Sequence, residues 1–177
     1  MVILITGATH TGKTVLTRRL LERFRIPAFS IDHLKMGLIR SGQTELTPQD
    51  DDKLTEYLWP IVREIVRTVI ENEQSLILEG CYVPPDWRRS FCAEELRSIR
   101  FVCLAMTDAY IDAHFPEIVA HASDAEKRPA EDFLTPAFLK EENRRVREAF
   151  SRCGESVVLI DGAYERALDP AVLFPEP

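Results

Sequence analysis

The chain has little of what marks a nucleic-acid, membrane or disulfide-built protein. Its 22 basic side chains are outnumbered by 29 acidic ones, for a net charge of −7 at pH 7, which excludes a polycation that coats nucleic acid through clustered Lys and Arg. Apolar runs are short: none approaches the roughly 18 residues of a membrane span. The apolar N-terminus stops at Gly7 with no basic segment before it, unlike a secretory leader. The four cysteines, Cys81, Cys92, Cys103 and Cys153, lack C-x-x-C spacing and lie in apolar or helical surroundings, so they read as buried thiols of a reducing compartment rather than disulfide partners or zinc ligands. These absences point to a cytoplasmic protein with small ligands. Glycine is scarce as well, seven in 177 residues, and two of the seven, Gly7 and Gly12, fall close together near the start. An apolar content of 45% suffices for one well-buried domain over 1–177 and is too little chain for two.

What is present is concentrated at the start. Val2 to Thr6 is apolar and largely β-branched, a buried strand, and Gly7-Ala8-Thr9-His10-Thr11-Gly12-Lys13-Thr14 fits G-x-x-x-x-G-K-S/T at every fixed position, with helix-like Val15 to Leu21 after it. A triphosphate must be wrapped by backbone N–H groups, so Gly7 and Gly12 permit a close, bent approach, and the helix that follows aims its dipole at the anion. Lys13, in a solvent-facing loop, would reach the β- and γ-phosphates, and the Thr14 hydroxyl would bind magnesium. Ala8, Thr9, His10, Thr11 and Val15 complete the cradle. The motif points to ATP with Mg2+.

Four more largely apolar strands follow, and the third of the chain, Ser75 to Leu78, reads as buried on both faces. Ile26 to Ile31 ends at Asp32, Ser75 to Leu78 at Glu79-Gly80, Ile99 to Leu104 before Thr107, and Ser156 to Ile160 at Asp161-Gly162. The connecting segments are helical. Thr47-Pro48 reads as an N-cap with proline in the first turn, opening a long helix to Asn72 with a kink at Pro60, and Thr135-Pro136 opens another to Arg152. Thr107 caps a third. Residues 121–134 are polar and aperiodic, the expected place for a lid. Five strands alternating with helices predict a parallel sheet with right-handed crossovers, whose ligands bind outside the strands' carboxyl ends. Gly7, Asp32, Glu79, Thr107 and Asp161 all fall on that edge.

On these residues the chain resembles the small P-loop kinases, the group that contains adenylate, shikimate and gluconate kinases. The resemblance implies a three-layer α/β/α P-loop NTPase fold with sheet order 2-3-1-4-5, an acceptor-binding insertion over 33–58 and an arginine-bearing lid over 121–134. Glu79-Gly80 resembles the acidic residue and glycine ending strand three, implying a carboxylate that holds magnesium through water. Asp32 is similar to the acidic residue that orients or deprotonates the acceptor hydroxyl in shikimate-type and zeta-toxin-type kinases. Arg128, then Arg144, are the candidates for the lid arginine, and Asp161-Gly162 for the loop against adenine. The adenylate kinase signature Asp-Gly-Phe-Pro-Arg is replaced by Glu79-Gly80-Cys81-Tyr82-Val83, with Arg88 several residues late.

The expected activity is transfer of the γ-phosphoryl group of ATP to a hydroxyl of a small molecule. The alternatives are a nucleoside monophosphate kinase and an ATP-binding switch or ATPase module. Lys13, Asp32, Arg128 and Arg144 would act on the reacting groups; Asp32, Arg40, Glu79, Gly80 and Arg88 would contact the acceptor. The cations Lys35, Arg40 and Lys53 in the insertion offer counter-charge to a phosphate or carboxylate on that acceptor. No nucleic-acid or membrane partner is expected, and the chain would act as a monomer or homodimer.

Overall fold

The computed structural model describes residues 1–121 and 134–174. In chain order the elements are β1 (Val2–Gly7), α1 (Lys13–Phe24), β2 (Ala28–Ser30), α2 (Ile31–Arg40), α3 (Asp51–Glu71), β3 (Leu76–Glu79), a 3-10 turn (Trp87–Ser90) and α4 (Ala93–Arg97), then β4 (Ile99–Met106), α5 (Asp108–Ala120), α6 (Pro136–Arg152), β5 (Val157–Ile160), α7 (Tyr164–Ala167) and α8 (Pro170–Leu173). The five strands form one sheet in the order β2-β3-β1-β4-β5, and every pairing is parallel. That is the expected fold.

β1 is central because it can be buried on both faces, and all six of its residues are. Side-chain alternation divides the core in two. Val2 and Leu4 face a layer built on α3 with Leu54, Leu58, Val62, Val66 and Trp87. Ile3 and Ile5 face α1, α5 and the C-terminal segment through Leu16, Leu20, Ile111 and Leu168. Each fully buried Leu, Ile or Val contributes about 1.5–3 kcal/mol relative to exposure, so this strand and the loop after it rest on the most heavily buried part of the molecule. No helix among the described residues is long and apolar enough to cross a membrane.

Several details differ from the sequence reading. β2 is three residues long, and Asp32 lies in the first turn of α2 rather than at the strand end. α3 begins at Asp51, not after Thr47, because the Asp50 carboxylate accepts the Thr47 N–H at 2.9 Å and its hydroxyl at 2.7 Å, holding residues 47–50 in a turn. The helix then runs through Pro60 to Glu71 as one element. Of the four cysteines only Cys103 is buried; Cys81, Cys92 and Cys153 are exposed. The residues 122–133 of the expected lid lie outside the described residues.

Candidate active site

The phosphate loop is fixed by close backbone approaches. Gly7 has φ 140°, and a Cβ there would lie 2.2 Å from the Leu104 carbonyl oxygen, so no larger residue fits between β1 and β4. The Ala8 N–H donates to that same carbonyl at 3.1 Å. Gly12 caps α1 in the left-handed region, φ 84°, and a Cβ would meet the Tyr164 hydroxyl at 2.2 Å. His10, at φ 62°, also takes the left-handed conformation, with its Nδ1 2.9 Å from Thr9 Oγ1. The loop thus turns sharply and presents the amino end of a twelve-residue helix, whose unpaired N–H groups and dipole suit an anion.

Lys13 is not solvent-facing. It is 7% exposed, and its ammonium donates to the Gly7 carbonyl at 3.2 Å and the Ala8 carbonyl at 2.8 Å, while Thr11 Oγ1 donates to Ala8 O at 2.8 Å. The lysine braces the loop from inside. Phosphate oxygens can replace those carbonyls with stronger charge-assisted bonds.

A cleft of about 360 Å³ opens over this loop, lined by Lys13 and Thr14, by Asp32 and Glu79, and by Cys81. Glu79 is only 3% exposed. Asp32 accepts from Lys35 at 2.6 Å, and Lys35 also donates to the Tyr82 hydroxyl at 2.8 Å. The Tyr82 hydroxyl in turn donates to Asp51 at 3.2 Å. Burial, then the nearby Asp32 and Asp51 carboxylates, push the Tyr82 phenol far above its ordinary value, so it stays a neutral donor. The Asp32–Lys35 pair is legible in hindsight as an i,i+3 spacing on a helix; Tyr82 and Asp51 are brought to it only by the fold.

The other end of the cleft is lined by Tyr110, Ile118 and Tyr164. Both tyrosines are raised in pKa, first by burial. Arg19 ties this wall to α1, donating to the Glu165 and Leu168 carbonyls at 3.3 Å each and pairing with the Glu165 carboxylate. Asp161 and Gly162 sit in the turn after β5, exposed, and Tyr164 and Glu165 just beyond them line the cleft. Gly80 sits against Ile31, where a Cβ would lie 2.9 Å from Ile31 Cβ, so it permits the close packing of α2 on the sheet.

The remaining candidates fall elsewhere. Arg144 pairs with Asp108 at 3.0 Å and Glu141 at 3.1 Å, and the Asp108 bond raises its pKa further. It joins α6 to the start of α5, beside the carboxyl end of β4. Arg88 pairs with the buried Glu155 carboxylate and lies over the Trp87 ring, outside the cleft lining. Arg40 ends α2, exposed, at the helix end away from Asp32. Arg128 lies outside the described residues. Asn143, which sequence gave no reason to separate from its arginine neighbours, is 1% exposed; its Oδ1 accepts the Met106 N–H at 2.7 Å and its Nδ2 donates to Leu139 O at 2.7 Å.

The donor set fits magnesium. Thr14 and Glu79 line the main cleft and also a smaller adjoining cavity with Thr17, Ser30 and His33, so a hydroxyl and a carboxylate, both hard oxygen ligands, share one space beside the phosphate loop. Among the described residues no group of three or more His, Cys, Asp or Glu could hold a metal alone.

No protein-family profile matches the chain, and no curated protein does. Solved structures do match. The shikimate kinase of Bacteroides thetaiotaomicron is 14% identical, over 95% of this chain and 94% of that one, with a TM-score of 0.58. A sugar kinase of a Janibacter species is 16% identical, over 97% of this chain and 91% of that one, with a TM-score of 0.54. With the sheet order and the phosphate loop, these likenesses give the chain the fold of the P-loop small-molecule kinases.

Proposed function

We propose that the protein moves the γ-phosphoryl group of ATP to a hydroxyl of a small molecule. One observation carries the reading: Lys13 and Thr14 share a single cleft with Asp32 and Glu79. A phosphate loop alone would serve a switch or an ATPase; a carboxylate in the same cleft adds a group that can take a proton. In the transfer, the acceptor oxygen bonds to the γ-phosphorus as the bond from that phosphorus to the bridging oxygen breaks. The hydroxyl proton passes to an Asp32 carboxylate oxygen, and ADP leaves with the electron pair. Bound magnesium would neutralise charge on the β- and γ-phosphates, with Thr14 as ligand and Glu79 reached through water. Lys13 binds the same phosphates and, with the loop N–H groups, stabilises the charge of a loose transition state. Positioning supplies the rest. The likeness in fold to proteins named shikimate kinase and sugar kinase agrees with a hydroxyl acceptor.

The test is Lys13→Met assayed for ATP-dependent phosphorylation of a mixed library of hydroxyl compounds. The variant should lose at least two orders of magnitude in turnover. It should stay folded, with a stability loss of about 1–3 kcal/mol from the lost bond to the Gly7 carbonyl, the Ala8 carbonyl keeping its bond from Thr11. Near-normal turnover in the variant would show that the loop does not act on the reacting phosphate.

A further inference from the structure

The acceptor end of the cleft has its charges already assigned. Of the three cations in the insertion, Lys53 points to solvent, its side chain 71% exposed and 3.5 Å from Asp50. Arg40 lies exposed at the far end of α2. Lys35 alone is at the site, its side chain 11% exposed, and two of its three donors are used by Asp32 and Tyr82. Tyr82 then closes the chain on Asp51. Asp32, Lys35, Tyr82 and Asp51 therefore carry one positive and two negative charges; of these Asp32 lines the cleft, where the buried Glu79 adds a second carboxylate, while Asp51 is reached through the Tyr82 hydroxyl. An acceptor carrying a carboxylate or phosphate would enter beside these acids, where Lys35 is paired with Asp32 and Arg19 with Glu165, and like charge at that range is unfavourable in a partly buried site.

A neutral donor and acceptor of hydrogen bonds fits better. Ser30 Oγ and Thr17 Oγ1 line the adjoining cavity that shares Thr14 and Glu79 with the cleft. Both residues are more than nine-tenths buried, and neither hydroxyl has a hydrogen-bond partner among the described residues. Such a hydroxyl left unpaired is costly, and it both donates to and accepts from an alcohol.

We propose that the Asp32–Lys35–Tyr82–Asp51 chain makes the acceptor site selective for a hydroxyl compound without negative charge, either a neutral polyol or one bearing an amine. This rests on the kinase reading above. Lys35 is the positioning residue: held by Tyr82, it fixes the Asp32 carboxylate and is not released to bind an anion. The site thereby discriminates by charge rather than by a pocket matched to one skeleton.

The probe is an equimolar library of neutral polyols, amino alcohols, hydroxycarboxylates and phosphate monoesters, incubated with the full-length protein and MgATP and read by mass spectrometry for phosphorylated products. Products should come from the neutral and amine-bearing classes. Products drawn mainly from hydroxycarboxylates or phosphate monoesters overturn the inference and leave the kinase reading standing. No product from any class, with MgATP still raising the melting temperature, overturns the kinase reading and the inference with it. Asp51→Asn removes one of the carboxylates, and the turnover ratio of anionic to neutral acceptors should rise about tenfold; an unchanged ratio in a variant with wild-type melting and nucleotide response overturns the electrostatic basis. Tyr82→Phe keeps the charges but removes one of the two partners that hold Lys35, and should raise KM for neutral acceptors while leaving KM for ATP unmoved; a normal acceptor KM sinks the positioning role.

Discussion

Cys103 lies in the middle of β4 and has no part in phosphate chemistry, yet it ties stability to pH. Burial pushes its thiol up from 9.0 to about 12, with nearby Lys13 working against the shift and Glu155 with it. The folded chain therefore keeps a proton that the unfolded chain gives up near pH 9. Its contribution is complete below that value and is lost as pH rises from 9 toward 12, at a slope of up to about 1.4 kcal/mol per pH unit. Urea unfolding under reducing conditions at pH 8, 9 and 10 should show the wild type losing stability faster than Cys103→Val, since valine fills the site without titrating. Parallel slopes for the two would show that the thiol ionises alike in both states. The other three thiols are exposed, and this is where sequence misleads: cysteine is among the most buried residue types, but a loop, a cap and a helix end carry them outward. The burial of Lys13 was equally hidden, because the motif gives the residue's partner in a complex and not the loop carbonyls that hold it otherwise.

Among the elements, the strands and the caps were the most legible. Thr107 accepts the Tyr110 N–H at 3.2 Å and Thr135 the Phe138 N–H at 3.2 Å, as the Thr-led starts imply. The start of α3 was not legible, because Thr47-Pro48 carries the same local signal and the competing Asp50 turn wins through two hydrogen bonds. α5 has a feature that its sequence pattern conceals: His114 leaves helical geometry at φ −123°, ψ 15°, two residues before Pro116, whose ring and missing N–H disrupt the preceding turn. The join between α6 and the carboxyl end of β4 depends on Asn143, a buried polar residue among charged neighbours that are exposed or half-buried. Asn143→Leu keeps the volume but leaves the Met106 N–H unpaired in the core, while the Leu139 carbonyl keeps its helical bond from the residue-143 N–H, so it should cost about 1–3 kcal/mol. Denaturant unfolding measures it. A loss below about 0.5 kcal/mol would mean that the Met106 N–H finds another partner locally and that β4 does not depend on this contact. Arg144, one residue on, supplies the neighbouring surface pair with Asp108 and should matter far less, since exposed ion pairs contribute about 0–1 kcal/mol.

At the scale of the whole molecule, the parallel sheet collects onto one edge residues that are far apart in the chain: the loop 7–14, Asp32, Glu79, Tyr110 and Tyr164. A ligand seated there bridges both core layers, since the α3 layer supports Asp32 through Ile31 and Tyr82 and the α1 layer supports Tyr110 and Tyr164. Binding to the native state alone raises stability by about 2.7 kcal/mol at a hundredfold excess over Kd, and for a chain of this size each kcal/mol moves Tm by about 2–4 °C. Saturating MgATP should therefore raise Tm by roughly 5–11 °C. Two variants divide that effect by mechanism. Lys13→Met should lose most of the shift, because in the proposed function the lysine would bind the phosphates in the bound state as well as during transfer. Asp32→Asn should keep the shift almost whole and still lose phosphoryl transfer, because in the proposed function that carboxylate would serve the acceptor and not the nucleotide. If Asp32→Asn abolishes the nucleotide-induced shift, Asp32 belongs to the nucleotide site and the assignment of the acceptor to its side of the cleft is wrong.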